Sequence, residues 1–324
     1  MKTGVINILG QLYHLAKEVV PDRSPTGFKQ RMWMLAGALK RFPQIRKWYR
    51  ISDNPSLTQA RERFPQMHEV IYAPYIHRQW PLSRRLATID QHYRMLHGSA
   101  AIIARATLEE VELANFNEEY AGLRLTLKKS NRFLGEGEVA LNLLVGEQRY
   151  YSVALTLGMD SGDPLILIGA LQGSSAEEAA AVYREMTHAL HGMRPRDLLM
   201  TSLKLLSRQL GIHRIWAISS TQRHRFSKKL KADYDAMWQE HNGQLLDNGF
   251  FEIPAEVRYR QMEEIVSRKR KIYRLRYQML DRLAEDIATA CASTSNNAAP
   301  REHRQITEKA TAHDGLLATG NRPC

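Results

Sequence analysis

The residues best suited to acid/base chemistry in this sequence cluster in the segment 234–241. Tyr234, Asp235, Glu240 and His241 stand on neighbouring helical turns if the segment is helical. A histidine and a carboxylate so placed can share a proton, which is the arrangement of a general acid/base pair. No nucleophile stands beside them, so a hydrogen-bonded structural network is an equally good interpretation. We take these four residues as the candidate catalytic set.

A second group of residues could bind a phosphate. Arg194 and Arg196 lie at the predicted start of a helix, where free backbone amides already favour an anion and guanidinium groups can add paired hydrogen bonds. Gln172 and Gly173 end the central strand that precedes them, and we assign all four residues to cofactor binding. The competing interpretation is that the two arginines are solvated or bridge nearby carboxylates.

Two predicted helices combine positive charge with apolar or aromatic residues. The segment 24–50 carries seven basic residues and no acidic one, and a helical pattern at 256–289 contains a second basic stretch with tyrosines. The candidates in this second stretch for binding an anionic surface are Arg268, Lys269, Arg270, Lys271, Arg274 and Arg276. Lipid, a nucleic-acid backbone and a phosphorylated ligand all fit such surfaces, and so does an ordinary solvated helix face.

Histidine and cysteine spacings do not favour a metal site. His188 and His191 have a spacing that one metal ion could use, but no third ligand can be named. Cys291 and Cys324 both lie in the C-terminal part of the chain, so they provide neither a disulfide framework nor a cysteine zinc site for the core. We expect no metal.

The elements that must position these residues centre on 164–220, which reads strand, helix, helix, strand. The apolar run PLILIGALQG is typical of a strand covered on both faces. From residue 122 onwards, apolar runs predict a meander of antiparallel strands, and HRIWAIS returns after the helices as a parallel neighbour. The predicted fold class is therefore α+β, with a mixed, mainly antiparallel sheet flanked by helices.

Composition divides the chain into four predicted regions. They are a helical N-terminal region at 1–115, an α/β core at 116–255, a basic C-terminal helix at 256–290 and a disordered tail at 291–324. The net charge of +12 favours a phosphate-bearing partner without choosing among nucleic acid, phospholipid and a small ligand. No apolar run is long enough to predict a transmembrane helix, and the N-terminus lacks the features of an export signal.

Several separated blocks, in the same order, resemble the VirK/YbjX family of Gram-negative bacteria over residues 27–287. The blocks are HRQWPLSRRL, LNLLVGEQRYYSVALTL, LILIGALQG, GMRPRDLLMTSLKLLSRQLGIHRIWAIS, DYDAMWQEHNG with GFFEIP, and SRKRKIYRLRY. The resemblance implies a role in virulence and in the cell envelope: resistance to cationic antimicrobial peptides, remodelling of the outer membrane or lipid A, and support for surface display of a virulence protein. It implies no particular reaction.

The order of strands and helices is also similar to the core of N-acetyltransferases that use acetyl-CoA. In that superfamily the start of a helix after a central strand receives the cofactor pyrophosphate, and GMRPRDLL would stand at that place. The chain departs from the pattern by an additional helix and by Arg-Pro-Arg in place of a Gly-rich turn. Members that use aminoacyl-tRNA would account better for the basic surface. Acyl-CoA and aminoacyl-tRNA are thus the candidate cofactors, by analogy at the level of the fold.

Three functional hypotheses remain. The first is an acyl or aminoacyl transferase that acts on an envelope component and is cytoplasmic or peripheral to the inner membrane. The second is a noncatalytic adaptor that docks on inner-membrane lipid through the basic helices. The third is an RNA-binding regulator, which charge alone favours, without any sign of DNA specificity.

Overall fold

A computed structural model describes the chain at residues 10, 12–13, 16–17, 24–40, 42–50, 54–224 and 233–297. Its helices are α1 (Pro25–Lys40), α2 (Phe42–Arg50), α3 (Pro55–Arg63), α4 (Leu82–Arg94), α5 (Ala101–Leu108), α6 (Ala179–Ala189), α7 (Pro195–Gln209), α8 (Tyr234–Glu240) and α9 (Arg270–Asn297). Its strands are β1 (Val111–Asn115), β2 (Leu123–Lys128), β3 (Val139–Val145), β4 (Gln148–Asp160), β5 (Asp163–Gly173), β6 (Arg214–Ile218), β7 (Gln244–Leu245) and β8 (Phe250–Pro254).

In the described part of the chain, eight strands form one sheet in the order β1-β2-β3-β4-β5-β6-β8-β7. Strands β2 to β5 make the antiparallel meander that the sequence predicts from residue 122 onwards, and β6 returns parallel to β5 after α6 and α7. Strand β1 lies in the region predicted as helical and adds an unpredicted antiparallel strand beside β2. Strands β8 and β7 complete the sheet in antiparallel pairing. The predicted α+β class, with a mixed and mainly antiparallel sheet, is confirmed. The likeness to an N-acetyltransferase core stays a prediction.

The central strands are buried on both faces. In β5 every residue from Leu165 to Leu171 is buried, although successive side chains of a strand point to opposite faces. Helices α4 and α7 both pack on the neighbouring strand β4. Because helices cover the sheet, its central strands need an unbroken apolar run and not an alternating one.

The C-terminal helix begins and ends later than the sequence predicts: the predicted helix is 256–290, whereas α9 is Arg270–Asn297. The disordered tail was expected to begin at residue 291, but α9 continues through Asn297. Cys291 and Thr294 are buried, so this last part of the helix still packs against the protein. The rest of the predicted tail, 298–324, lies outside the described residues.

A buried ion pair joins the helical N-terminal region to the sheet. Lys129 follows β2 and places its Nζ 2.6 Å from the carboxylate of Glu138, which precedes β3. Both side chains are almost fully buried. The hydroxyls of Tyr75 and Tyr93 donate to the two oxygens of the same carboxylate at 2.9 and 2.8 Å. Since a buried charge is unfavourable unless it is paired and hydrogen-bonded, this cluster fixes four segments at once.

His92 lies beside this ion pair and is neutral in the folded protein. Its Nδ1 accepts a hydrogen bond from the Leu157 amide at 3.0 Å, and the ring is fully buried. Burial lowers the pKa of His92 from 6.5 to about 4. Burial and the charge of Arg61 lower the pKa of His68 to about 4 as well. Protonation of either ring therefore favours the unfolded chain.

We predict that mild acid destabilises the protein through these histidines. Between pH 6.5 and about 4 the unfolded chain binds a proton at His92 that the folded chain does not. The free energy of unfolding should therefore fall as the pH falls through this window. The shift of His92 corresponds to about 3 kcal/mol when the coupling is complete. Urea unfolding followed by circular dichroism at stepped pH values measures the effect.

The matched variant is His92→Asn, which keeps an acceptor for the Leu157 amide and removes the titrating group. It should lose less stability than the wild-type chain on acidification, and His68 should account for part of the remaining slope. Equal slopes for the two proteins would contradict the burial of a neutral His92.

Candidate functional site

The sheet opens at the end of β5. Parallel pairing between β5 and β6 stops at Ile168 and Ala217, whereas β5 continues beside β4 to Gly173. A cavity of about 660 Å³ lies at this end, within the size range of small-molecule sites. The polar side chains that line it include Arg132, Glu136, Gln172, Arg223, His224 and Tyr234. Of the predicted site residues, Gln172, Gly173 and Tyr234 are among its lining residues.

The segment 234–241, which the sequence analysis considers as a possible helix, forms α8 and brings Tyr234 into the cavity lining. The Tyr234 hydroxyl accepts a hydrogen bond from the Leu171 amide at 3.2 Å. The guanidinium carbon of Arg223 lies 5.0 Å from the centre of the Tyr234 ring, and burial raises the pKa of the hydroxyl. Asp235 instead accepts a hydrogen bond from the Ser220 amide at 2.7 Å. Asp235 thus fixes the loop after β6 to the start of α8.

Two residues that the sequence analysis missed, Glu136 and His224, face each other in the cavity. Glu136 Oε1 lies 3.8 Å from His224 Nδ1. The Gln172 side-chain amide donates to Glu136 Oε2 at 2.7 Å and so orients the carboxylate. A carboxylate beside an imidazole in a cavity is an arrangement that can move a proton to or from a bound ligand.

Glu136 and His224 can come together because two glycines leave room for the 135–137 loop and for the His224 ring. A Cβ atom on Gly169 of β5 would overlap the backbone carbonyl of Glu136, and one on Gly135 would stand 2.5 Å from His224 Nε2. Side chains at these positions would therefore push the 135–137 loop away from the sheet. The Gly-Glu-Gly sequence at 135–137 is the signal that could have pointed to this loop, although it does not identify His224 as its partner.

Two arginines lie near the ring of Phe133 beside the cavity: Arg132 is a lining residue, and Arg149 donates to the carbonyl of Gln172, another lining residue, at 3.4 Å. The guanidinium carbons of Arg132 and Arg149 lie 5.9 and 6.0 Å from the ring centre. Arg149 also donates to the Ser152 hydroxyl at 3.2 Å. Burial, followed by the charge of Arg132, lowers the pKa of Arg149. Within the described residues, neither arginine has a carboxylate at salt-bridge distance.

At the start of α7, the predicted phosphate site, the arginines are paired with carboxylates. Arg194 contacts Asp197 at 2.6 Å and Glu240 at 2.8 Å, and Arg196 also binds Glu240. His241 Nε2 lies 3.7 Å from Asp197. Hydrogen bonding by Arg194 lowers the pKa of Glu240, and burial lowers that of His241. The structure thus shows the competing arrangement, in which the arginines bridge nearby carboxylates, and it places Glu240 and His241 here and not in the cavity lining.

The predicted anionic-surface residues of α9 and the turn before it have two different environments. Arg276 donates to the His191 carbonyl at 2.6 Å and Arg270 to the Ile265 carbonyl at 3.0 Å, so both stabilise neighbouring backbone. The exposed members of the set are Arg268, Lys269, Lys271 and Arg274. Only these four are free to meet a large anionic partner, and their binding to one stays a prediction.

Neither a metal cluster nor a membrane-spanning helix is found among the described residues. No three His, Cys, Asp or Glu side chains in that part of the chain approach closely enough to hold a metal ion. No helix there is both long and apolar enough to cross a bilayer.

Comparison with known proteins gives a consistent set of relatives. A family model described as a protein of unknown function, DUF535, matches residues 25–289. YbjX of Escherichia coli strain K12 is 27% identical over 252 residues, which cover 74% of this chain and 76% of that protein. A protein of Haemophilus influenzae is 29% identical over 224 residues, or 67% of this chain and 75% of its own length. A Mannheimia haemolytica protein named membrane protein LapB is 24% identical over 191 residues, or 59% of this chain and 80% of that protein.

We predict that Gly169→Ala destabilises the protein and displaces Glu136. The added methyl group overlaps the Glu136 carbonyl, and overpacking of this kind costs about 1–3 kcal/mol. Gly37→Ala is the matched control, because a Cβ atom there meets nothing within 4 Å and alanine favours the helix. Thermal unfolding should show a lower midpoint for Gly169→Ala and an equal or higher one for Gly37→Ala. An unchanged midpoint for Gly169→Ala would contradict the close packing of this loop.

Proposed function

Since this chain belongs to the DUF535 family and is similar to YbjX, we propose that it is a VirK-type cell-envelope factor that transfers an acyl or aminoacyl group. The phosphate-bearing donor is acyl-CoA or aminoacyl-tRNA. Its effect is remodelling of the outer membrane or lipid A, which confers resistance to cationic antimicrobial peptides and supports virulence. The observation that carries the proposal is a cavity with an acid/base pair and, beside it, two arginines that have no carboxylate partner among the described residues: Arg132, which lines the cavity, and Arg149, which donates to the carbonyl of the lining residue Gln172.

Charge determines where an anion binds best on this protein. At the start of α7 the guanidinium groups of Arg194 and Arg196 are already neutralised by carboxylates, which a phosphate would have to displace. Arg132 and Arg149 instead repel each other, and this repulsion contributes to the lowered pKa of Arg149. A phosphate between them removes the repulsion and accepts charge-assisted hydrogen bonds. The edge of the cavity beside Arg132 and Arg149 is therefore the better phosphate site.

The acyl end of the donor then reaches the cavity, where the transfer takes place. The thioester or ester bond of the donor breaks, and the acyl carbon bonds to an amine or hydroxyl of the acceptor. The proton that the acceptor loses goes to the pair formed by Glu136 and His224. Tyr234, which lines the cavity and whose hydroxyl is protonated at neutral pH, supplies a proton to the leaving group. Exchange with water restores both groups.

The name of one relative supports the proposal that this activity takes place in the cell envelope. The Mannheimia haemolytica relative is named a membrane protein, and it aligns with more than half of this chain. An acceptor in the envelope is consistent with that name, because a transferase must meet its acceptor at or near the membrane.

We predict that Arg132→Gln/Arg149→Gln weakens donor binding and that Arg194→Gln does not. A hydrogen bond to a charged group contributes about 1.5–3 kcal/mol, so the double variant should bind the donor at least about tenfold more weakly. The single variant is the matched control, because it removes an arginine that already has carboxylate partners. Calorimetric titration of each protein with acetyl-CoA, a long-chain acyl-CoA and an aminoacyl-tRNA measures the effect.

Three results would count against parts of this proposal. If Arg194→Gln loses donor binding and the double variant keeps it, the phosphate site lies at the start of α7. Failure of the wild-type protein to bind any of the three donors would overturn the transferase. Equal affinity for charged and uncharged tRNA in all variants would favour the RNA-binding regulator instead.

A further inference from the structure

Helix α1 is held on the protein by one face. Met34 and Ala38 are buried on that face, and Leu35 packs partly against the core. The following helix α2 provides the support, because its buried Trp48 donates the indole N–H to His68 at 3.2 Å. The opposite face of α1 therefore points away from the protein core.

This outer face of α1 is aromatic and apolar. Phe28, Met32 and Trp33 are 56, 47 and 76% exposed. At 100° per residue they lie within an arc of about 140° on the helix, side by side. Single apolar residues are ordinary on a protein surface, but three large ones grouped on one helix indicate a surface that is covered by a partner.

The charge on the same face indicates what kind of partner this is. Lys29 and Lys40 project from the same arc and are exposed. The whole segment 24–50 contains no acidic residue, so nothing in it repels an anion. A helix that lies in the plane of a membrane has this composition: its apolar side chains enter the acyl region while its lysines extend to the phosphate level.

We propose that the outer face of α1, formed by Phe28, Lys29, Met32, Trp33 and Lys40, docks the protein on a bilayer rich in anionic phospholipid. Burial of three large apolar side chains among acyl chains strengthens binding to a bilayer, whereas a nucleic-acid backbone would interact with the positive charges alone. The inference goes beyond transfer chemistry in the cavity and does not depend on it.

Flotation of the full chain with lipid vesicles tests the proposal. The wild-type protein should float with vesicles of phosphatidylethanolamine and phosphatidylglycerol, and much less with vesicles of phosphatidylcholine. Phe28→Gln/Trp33→Gln and Lys29→Glu/Lys40→Glu should each lower the partition coefficient at least about tenfold. All four side chains are exposed, so both variants should keep the thermal midpoint of the wild-type protein.

Two control variants separate this surface from the other basic sites. Lys271→Glu/Arg274→Glu makes the same change of charge on the exposed face of α9 and should float like the wild-type protein. Arg132→Gln/Arg149→Gln should also float normally, which distinguishes lipid docking from donor binding in the cavity.

Trp33 can report its own insertion into the bilayer. All five tryptophans lie in the described part of the chain, and Trp33 is the exposed one. Lipids brominated on the acyl chain should quench the fluorescence of the wild-type protein. Trp33→Phe should keep most of the flotation, because the ring remains apolar, and should lose most of the quenching.

Several outcomes would overturn the proposal. Flotation that survives both α1 variants, or that is lost in the α9 variant, would place the docking surface elsewhere. Absence of flotation with anionic vesicles would remove it altogether, and sedimentation that shows an α1-dependent dimer would then identify a second copy of the chain as the occupant.

Discussion

A buried ion pair, together with two tyrosines that bind its carboxylate, joins the helical N-terminal region to the sheet. The partners, Lys129 and Glu138, are both almost fully buried, so loss of either one would leave an unpaired charge at a cost of about 3–5 kcal/mol. Through its carboxylate the pair also binds Tyr75 and Tyr93. Because Tyr75 also lines the cavity, the position of this part of the cavity wall depends on the buried pair of Lys129 and Glu138.

A comparable balance of charges distinguishes two arginine pairs, of which the sequence analysis assigns only Arg194 and Arg196 to phosphate binding. The helix start with Arg194 and Arg196 has the stronger local signal, because backbone amides and guanidinium groups meet there. In the folded chain, α8 brings Glu240 to the same point, where its carboxylate pairs with both arginines. Arg132 and Arg149 receive no such partner among the described residues, and they stand beside a cavity that can accept the rest of a ligand. Anion binding depends on which cations remain unpaired, and not on how many there are.

The parts of the fold that the sequence predicts are those that depend on local burial. The runs PLILIGALQG and HRIWAIS become the paired strands β5 and β6, and their parallel direction follows from the helices between them. Local sequence patterns do not predict contacts between distant parts of the chain. Glu136 meets His224, and Arg194 meets Glu240, only in the folded protein. Likewise, helical spacing in the basic stretch does not reveal that Arg276 bonds to the His191 carbonyl.

The central claim is that the cavity at the end of β5 holds a phosphate-bearing donor beside Arg132 and Arg149. Native mass spectrometry tests it most directly, on the full chain purified at low salt from a Gram-negative bacterium that produces it. The account predicts a bound species that releases an acyl-CoA or an acylated nucleotide on dissociation and that is absent from Arg132→Gln/Arg149→Gln. A wild-type chain without any phosphate compound, or a bound species that the double variant retains, would contradict the account.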